Sequence, residues 1–171
     1  MKGAVAVLAS SITFSGCGYH VAGHADLLPR NIKIIAVPVF ENLTTRYRLS
    51  ARLSTAVSRE FAGRTRYQIV TDPDEADAVL KGAVVNVSSY PSVFDQATGR
   101  ATGAQILVML HLTLIERASG TVLFSRPSME IRERYEISVD QQAYFDESDT
   151  GLDRLSRSVA KTIVSAILEA F

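Results

Sequence analysis

Apolar and polar positions along the chain follow two different periods. Ile32 to Phe40 (IKIIAVPVF) is β-branched and apolar, which predicts a strand. Pro38 within it lacks an N–H and predicts either an edge position or an early end to that strand. From Leu49 the period lengthens: Leu49, Leu53, Val57 and Phe61 recur at helical spacing, with Arg48, Arg52 and Arg59 on another face. Asn42 to Thr45 offers N-cap candidates, and Gly63 is a natural C-cap. Tyr67 to Val70 is a short strand candidate, and Thr71-Asp72-Pro73-Asp74 is a turn.

Val79 to Tyr90 reads as a long strand ended by Pro91. Its odd positions Val79, Ala83, Val85 and Val87 are apolar, whereas its even ones include Gly82, Asn86 and Ser88. Asp95 to Gly103 is a polar turn, and Ala104 to Arg117 is the next strand. Ala118-Ser119-Gly120 turns the chain, and Thr121 to Arg126 returns antiparallel. Pro127 interrupts the ladder there, as at a bulge. Met129 to Val139 alternates: Met129, Ile131, Tyr135, Ile137 and Val139 on one face, Glu130, Arg132, Arg134, Glu136 and Ser138 on the other. Glu133 is the one break. Such alternation predicts one buried and one wet face. Glu147 to Thr150 is an acidic, cap-rich entry to a last helix. Its stripe is Leu152, Leu155, Val159, Ile163, Ile167 and Phe171, widened by Val164 and Leu168. Two helices with single apolar stripes bury best side by side on one sheet face, an α+β two-layer sandwich.

Ala104 to Ile115 departs from simple alternation. Its even positions (Ile106, Val108, Leu110, Leu112, Leu114) and most of its odd ones (Leu107, Met109, Ile115) are apolar. With helices on one face, the other needs cover as well. That cover comes either from local chain, such as Pro91 to Phe94, or from a partner protein or lipid.

The first residues are of a different kind. Lys2 is a short positive start, and Ala4 to Ile12 is apolar or small over nine residues, too short to span a bilayer. Phe14-Ser15-Gly16-Cys17 follows, with small residues just before the single cysteine of the chain. Residues 1–16 therefore read as a lipoprotein signal peptide, and Cys17 as the residue that becomes lipidated. Phe14 stands where leucine is usual. Two or more acyl chains, at about 0.8 kcal/mol per buried methylene, anchor stably. Residues 17–31 read as the lipidated tether and 32–171 as a single domain. The tether spans at most about 50 Å at full extension, which favours work close to the membrane that holds the lipid. Gly18, rather than Asp, follows the cysteine and favours outer-membrane sorting.

Composition narrows the chemistry. The 171 residues carry 18 basic and 18 acidic side chains, so nothing in the whole molecule pulls it toward nucleic acid. One cysteine excludes an internal disulfide and a zinc site on cysteine spacing. His20 and His24 are four apart but lie in the tether without a third ligand, and His111 sits mid-strand as a half-buried, satisfied residue. Asp72, Asp74, Glu75 and Asp77 form an acidic turn. No GxSxG, P-loop or GxGxxG pattern is present, so no cofactor beyond the lipid on Cys17, no metal and no enzymatic activity are expected. The candidates for phosphate-bearing lipid are local: Arg100 on a polar turn, Arg132 and Arg134 on one strand face, and Lys81 mid-strand. Ordinary surface charge, with Glu130 and Glu136 set against the arginines, is the plainer account of them.

With these elements placed, the chain resembles the LptE family of lipopolysaccharide-assembly lipoproteins. The resemblance is carried by Cys17-Gly18-Tyr19-His20-Val21, Leu28-Pro29, Ile35 to Asn42 (IAVPVFEN) and Ala76 to Gly82 (ADAVLKG). Tyr135-Glu136-Ile137 and the C-terminal amphipathic helix add to it. It implies two helices on one face of a mostly antiparallel four-stranded sheet. It also implies a non-enzymatic outer-membrane lipoprotein that plugs the LptD β-barrel, helps it assemble, and helps deliver lipopolysaccharide to the outer leaflet. Asp146, Glu147 and Asp149 make the entry to the last helix acidic, a poor place for a phosphate. The IAVPVFENLT stretch also looks like penicillin-binding-protein activator and curli-secretion lipoproteins, a regulatory or secretion alternative.

Overall fold

The computed structural model describes residues 28–136 and 141–171. Cys17, His20 and His24 lie outside the described residues, as does the signal segment. Strands β1 (Ile34–Ala36) and β2 (Glu41–Asn42) precede helix α1 (Tyr47–Arg64) and strand β3 (Gln68–Val70). A 3-10 turn at Pro73–Glu75 leads into β4 (Ala78–Phe94), β5 (Ala101–Glu116) and β6 (Val122–Glu136), and helix α2 (Gln141–Leu168) follows. The strand order is β3-β1-β4-β5-β6, with β2 also pairing β4.

The fold is the expected α+β arrangement, with six strands in the sheet instead of four. Two of the six are the short β2 and β3, which pair in parallel with β4 and β1. A parallel neighbour needs a crossover connection, and α1 supplies the one from β1 to β3. The long pairings β4–β5 and β5–β6 are antiparallel and joined by tight turns. Of the two outcomes that Pro38 allowed, the early end is found: β1 stops at Ala36 while lying inside the sheet, between β3 and β4. Pro127 sits on the edge strand β6, where Pro127 and Ser128 fall in the register shift between Arg126 and Met129, so its missing N–H costs no ladder bond.

Both helix stripes are buried against one sheet face. Leu49, Leu53, Val57 and Phe61 of α1 and Leu155, Val159, Ile163 and Ile167 of α2 join Leu80, Val84, Val108, Leu110, Leu112 and Leu114 in one core. Phe171 lies past the end of α2 and is 40% exposed, so the stripe stops before it. The packed part of the chain reaches back to Leu28, which is buried and donates its amide to the Tyr67 hydroxyl at 3.2 Å.

Two local expectations need correction. No side chain caps the start of α1; Asn42 instead closes its own turn, accepting from the amide and hydroxyl of Thr44. The helix runs through Gly63 and ends at Thr65, whose amide and hydroxyl both donate to the Phe61 carbonyl. The second correction concerns β4. Its core-facing residues are the even positions Leu80, Gly82 and Val84, opposite Leu114, Leu112 and Leu110. A register shift between Val84 and Asn86 then reverses the phase, so that Val87 faces inward opposite Val108. One unpaired residue, Val85, converts a single apparent alternation into two out-of-phase halves.

Asp77 ties the parallel part of the sheet together. Its carboxylate accepts from the amides of Lys33 (2.8 Å) and Ile34 (2.9 Å), at the start of β1. Those two bonds hold the carboxyl below its ordinary range. A group held low in the folded state contributes stability above its unfolded pKa, about 3.9 for Asp, and that contribution is lost as pH falls through the folded value. Asp77→Ala is expected to cost about 1–2 kcal/mol at pH 7. In thermal melts from pH 7 down to 2.5 the gap to wild type should close at the acid end. A gap independent of pH would separate the loss from the carboxylate charge.

Candidate open-face site

The face of β4, β5 and β6 opposite the helices carries the site. On β5 the inward residues Val108, Leu110, Leu112 and Leu114 are at most 1% exposed. The alternate positions Leu107, Met109, Thr113 and Ile115 are only partly buried, and His111 is exposed. The expectation of a half-buried, satisfied His111 is thus corrected: the bulge opposite it in β6 leaves it facing solvent without a direct cross-strand partner there.

Register defines the rows across this face. Ser88, Leu107 and Arg132 form one row, Asn86, Met109 and Glu130 the next, and Tyr90, Gln105 and Arg134 the one on the other side. Leu107 and Met109 therefore each have polar neighbours on both sides, an apolar pair with a polar rim, whereas Ile115 lies between Val79 and Val122. Among the described residues this face is covered at one end. There Ala36, Ala76 and Val79 form a small second cluster, with Ile34 and Val70 packed on it, beneath the segment leading to Asp77. Pro91 to Phe94 does not fold back as cover. It continues β4 outward, leaving Tyr90, Val93 and Phe94 more than half exposed.

Of the four basic candidates, only Arg132 and Arg134 are brought together. They stand two residues apart at register positions on the open face. Arg132 lies 3.4 Å from Glu130, and both are well exposed, so this pair is weak and easily exchanged for another anion. Lys81 is on the same face opposite Thr113, six β5 positions from Leu107, or about 20 Å away. Arg100 stands at the far tip of the β4–β5 hairpin. That tip was legible only as a polar turn. Its organiser is Asp95, whose Oδ1 accepts from the amides of Ala97 and Thr98 and from the Thr98 hydroxyl. The Thr98 bonds hold the Asp95 carboxyl below its usual range. Gly99 takes the positive φ of 66° that closes the turn. A DxxTG spacing was the signal for this, and it predicts a defined hairpin tip beside the exposed Phe94. Among the described residues no group of His, Asp or Glu is placed to hold a metal ion, and no helix is long and apolar enough to cross a membrane.

Solved structures share this fold. PelC from Paraburkholderia phytofirmans, solved as a dodecamer, is 16% identical over 85% of this chain and 94% of its own, with a TM-score of 0.52. The hypothetical protein CT253 from Chlamydia trachomatis is 11% identical over 80% of this chain and 96% of its own, with a TM-score of 0.53. Rare lipoprotein B from Shewanella oneidensis is 14% identical over 80% and 94%, with a TM-score of 0.48. No curated protein sequence matches the chain. The model of the LptE family, described as lipopolysaccharide-assembly, matches residues 32–167, which takes in every described strand, α1 and nearly all of α2. By that match the chain belongs to the LptE lipopolysaccharide-assembly family.

Proposed function

We propose that this protein is a non-enzymatic lipoprotein, lipidated at Cys17 and held at the periplasmic side of the outer membrane. There its open sheet face docks into an LptD-type β-barrel as a plug. In this role it assists assembly of the barrel and delivery of lipopolysaccharide to the outer leaflet. One observation carries the reading: Leu107 and Met109 on the central long strand have no helix over them among the described residues, whereas Val108, Leu110, Leu112 and Leu114 on its other face are buried. Partly exposed apolar residues within a polar rim are the usual composition of a protein interface. Arg132 and Arg134, with Arg100 and Lys81 at the two ends of the face, are the proposed lipopolysaccharide contacts.

A second reading has one point in its favour. PelC, which shares the fold, was solved as a dodecamer, so a self-assembled ring of secretion type is the alternative. A photo-crosslinking residue at Met109, in cells making the full-length protein, separates the two. The expected product is a single adduct with a large heat-modifiable β-barrel. A ladder of self-adducts, or an adduct with an inner-membrane synthase, would overturn the plug reading.

A further inference from the structure

The two helices leave a groove on the side away from the sheet. Their cross-contacts, Arg52 Nη1 to Asp153 Oδ1 at 2.6 Å and Arg64 Nη1 to Ser165 Oγ at 2.8 Å, both link residues 101 apart. A constant offset means that the helices run in the same direction and places Arg59 of α1 level with residue 160 of α2. Arg157 and Lys161 flank that level, one helical turn apart. All three side chains line the groove and are exposed. The acidic residues that share the groove are already engaged: Asp153 by Arg52 and Glu60 by Arg64, at 3.6 Å. No described residue pairs with Arg59, Arg157 or Lys161.

A second observation points into the same place. Ser156 lines the groove and is 2% exposed, and its Oγ has no hydrogen-bond partner among the described residues. A buried hydroxyl left unmatched is unfavourable, and an acceptor oxygen in the groove would remove that deficit. Three cations and a hydroxyl donor converge on a patch about one turn long, closed at each end by an ion pair. That arrangement fits several oxygens on one compact centre, and two guanidinium forks suit phosphate oxygens. An acidic peptide spreads its charges along a length that the end pairs block.

We propose that the α1–α2 groove binds a phosphate group, through Arg59, Arg157 and Lys161 with Ser156 beneath. This site lies on the opposite side of the molecule from the open sheet face and does not depend on the plug reading.

The test is calorimetric titration of the full-length protein, in neutral detergent at fixed ionic strength, with sodium pyrophosphate. Saturable binding is expected, with at least a tenfold loss of affinity in the Arg59→Gln/Arg157→Gln/Lys161→Gln variant. Ser156→Ala provides a separate check: it should raise the Tm of the free protein while weakening pyrophosphate three- to tenfold. Short-chain phosphatidic acid, kept below its micelle concentration, is the second probe. If it displaces pyrophosphate, the site takes a lipid headgroup phosphate; if it does not, the site takes free phosphate, and both results support the proposal. No binding by the wild-type protein, affinity unchanged in the triple variant, or polyglutamate bound as tightly as pyrophosphate would each overturn it.

Discussion

Gly82→Val is expected to destabilise the domain by about 3 kcal/mol, lowering Tm by roughly 10 °C. Gly82 faces the core from the centre of β4, opposite Leu112. A Cβ there would stand 2.8 Å from the ring of Phe40, which is 3% exposed. That ring has little room to yield, because the Phe40 amide is held at 2.8 Å by the Ser54 hydroxyl, which in turn donates to the Ser50 carbonyl on α1. The glycine thus lets the chain between β1 and α1 lie directly on the sheet. Gly82→Ala should cost less, about 2 kcal/mol, because it adds the clashing Cβ, within 2.9 Å of three ring atoms, without the two further methyl groups of valine. The decisive comparison is the double variant Phe40→Leu/Gly82→Val. Removing the clash partner should recover much of the loss, a coupling that independent sites would not show. Additive Tm changes across the cycle would mean that the cost of Gly82→Val arises elsewhere in the strand.

The second large effect concerns the open face, and the variant is chosen so that the fold survives it. Leu107 stands opposite Arg132, and Met109 opposite Glu130. Leu107→Glu with Met109→Lys therefore places each new charge beside an opposite one on β6, an arrangement that strands tolerate. The free protein should melt within a few degrees of wild type, as surface changes generally do. Recovery of the proposed barrel partner from detergent extracts should fall at least tenfold, because two new charge pairs would have to be desolvated in that interface. Undiminished recovery with an unchanged melt would remove the stripe from the interface.

Much of this architecture is written in short-range pattern. The stripe Leu49, Leu53, Val57 and Phe61 identifies α1, and Leu155, Val159, Ile163 and Ile167 identify α2, because a helix must bury one face and its period is local. The three long strands and their turns were legible in the same way. So was the question raised by β5, whose two apolar faces show that the helices alone cannot cover it. The family resemblance in the IAVPVFEN and ADAVLKG segments agrees with the match over residues 32–167.

What the pattern could not decide is what depends on pairing between distant residues. The phase of β4 reverses at Val85, and only the ladder with β5 reveals it, since a bulge leaves no compositional mark. Asp77 reads as one more acid in a polar turn until Lys33 and Ile34 are brought to it across more than forty residues of sequence. Alternation alone placed Arg132 and Arg134 on one strand face, but only the register puts Lys81 and Arg100 toward opposite ends of the sheet from each other. Arg59, Arg157 and Lys161 read as ordinary solvated helix charges. They become a cluster because two helices about a hundred residues apart pack in parallel. Sequence alone determined which segments are helix or strand and which face each must hide, because those are one-dimensional demands of the hydrophobic effect. Tertiary structure decided which side chains meet, because register and helix packing set distances that no local period contains.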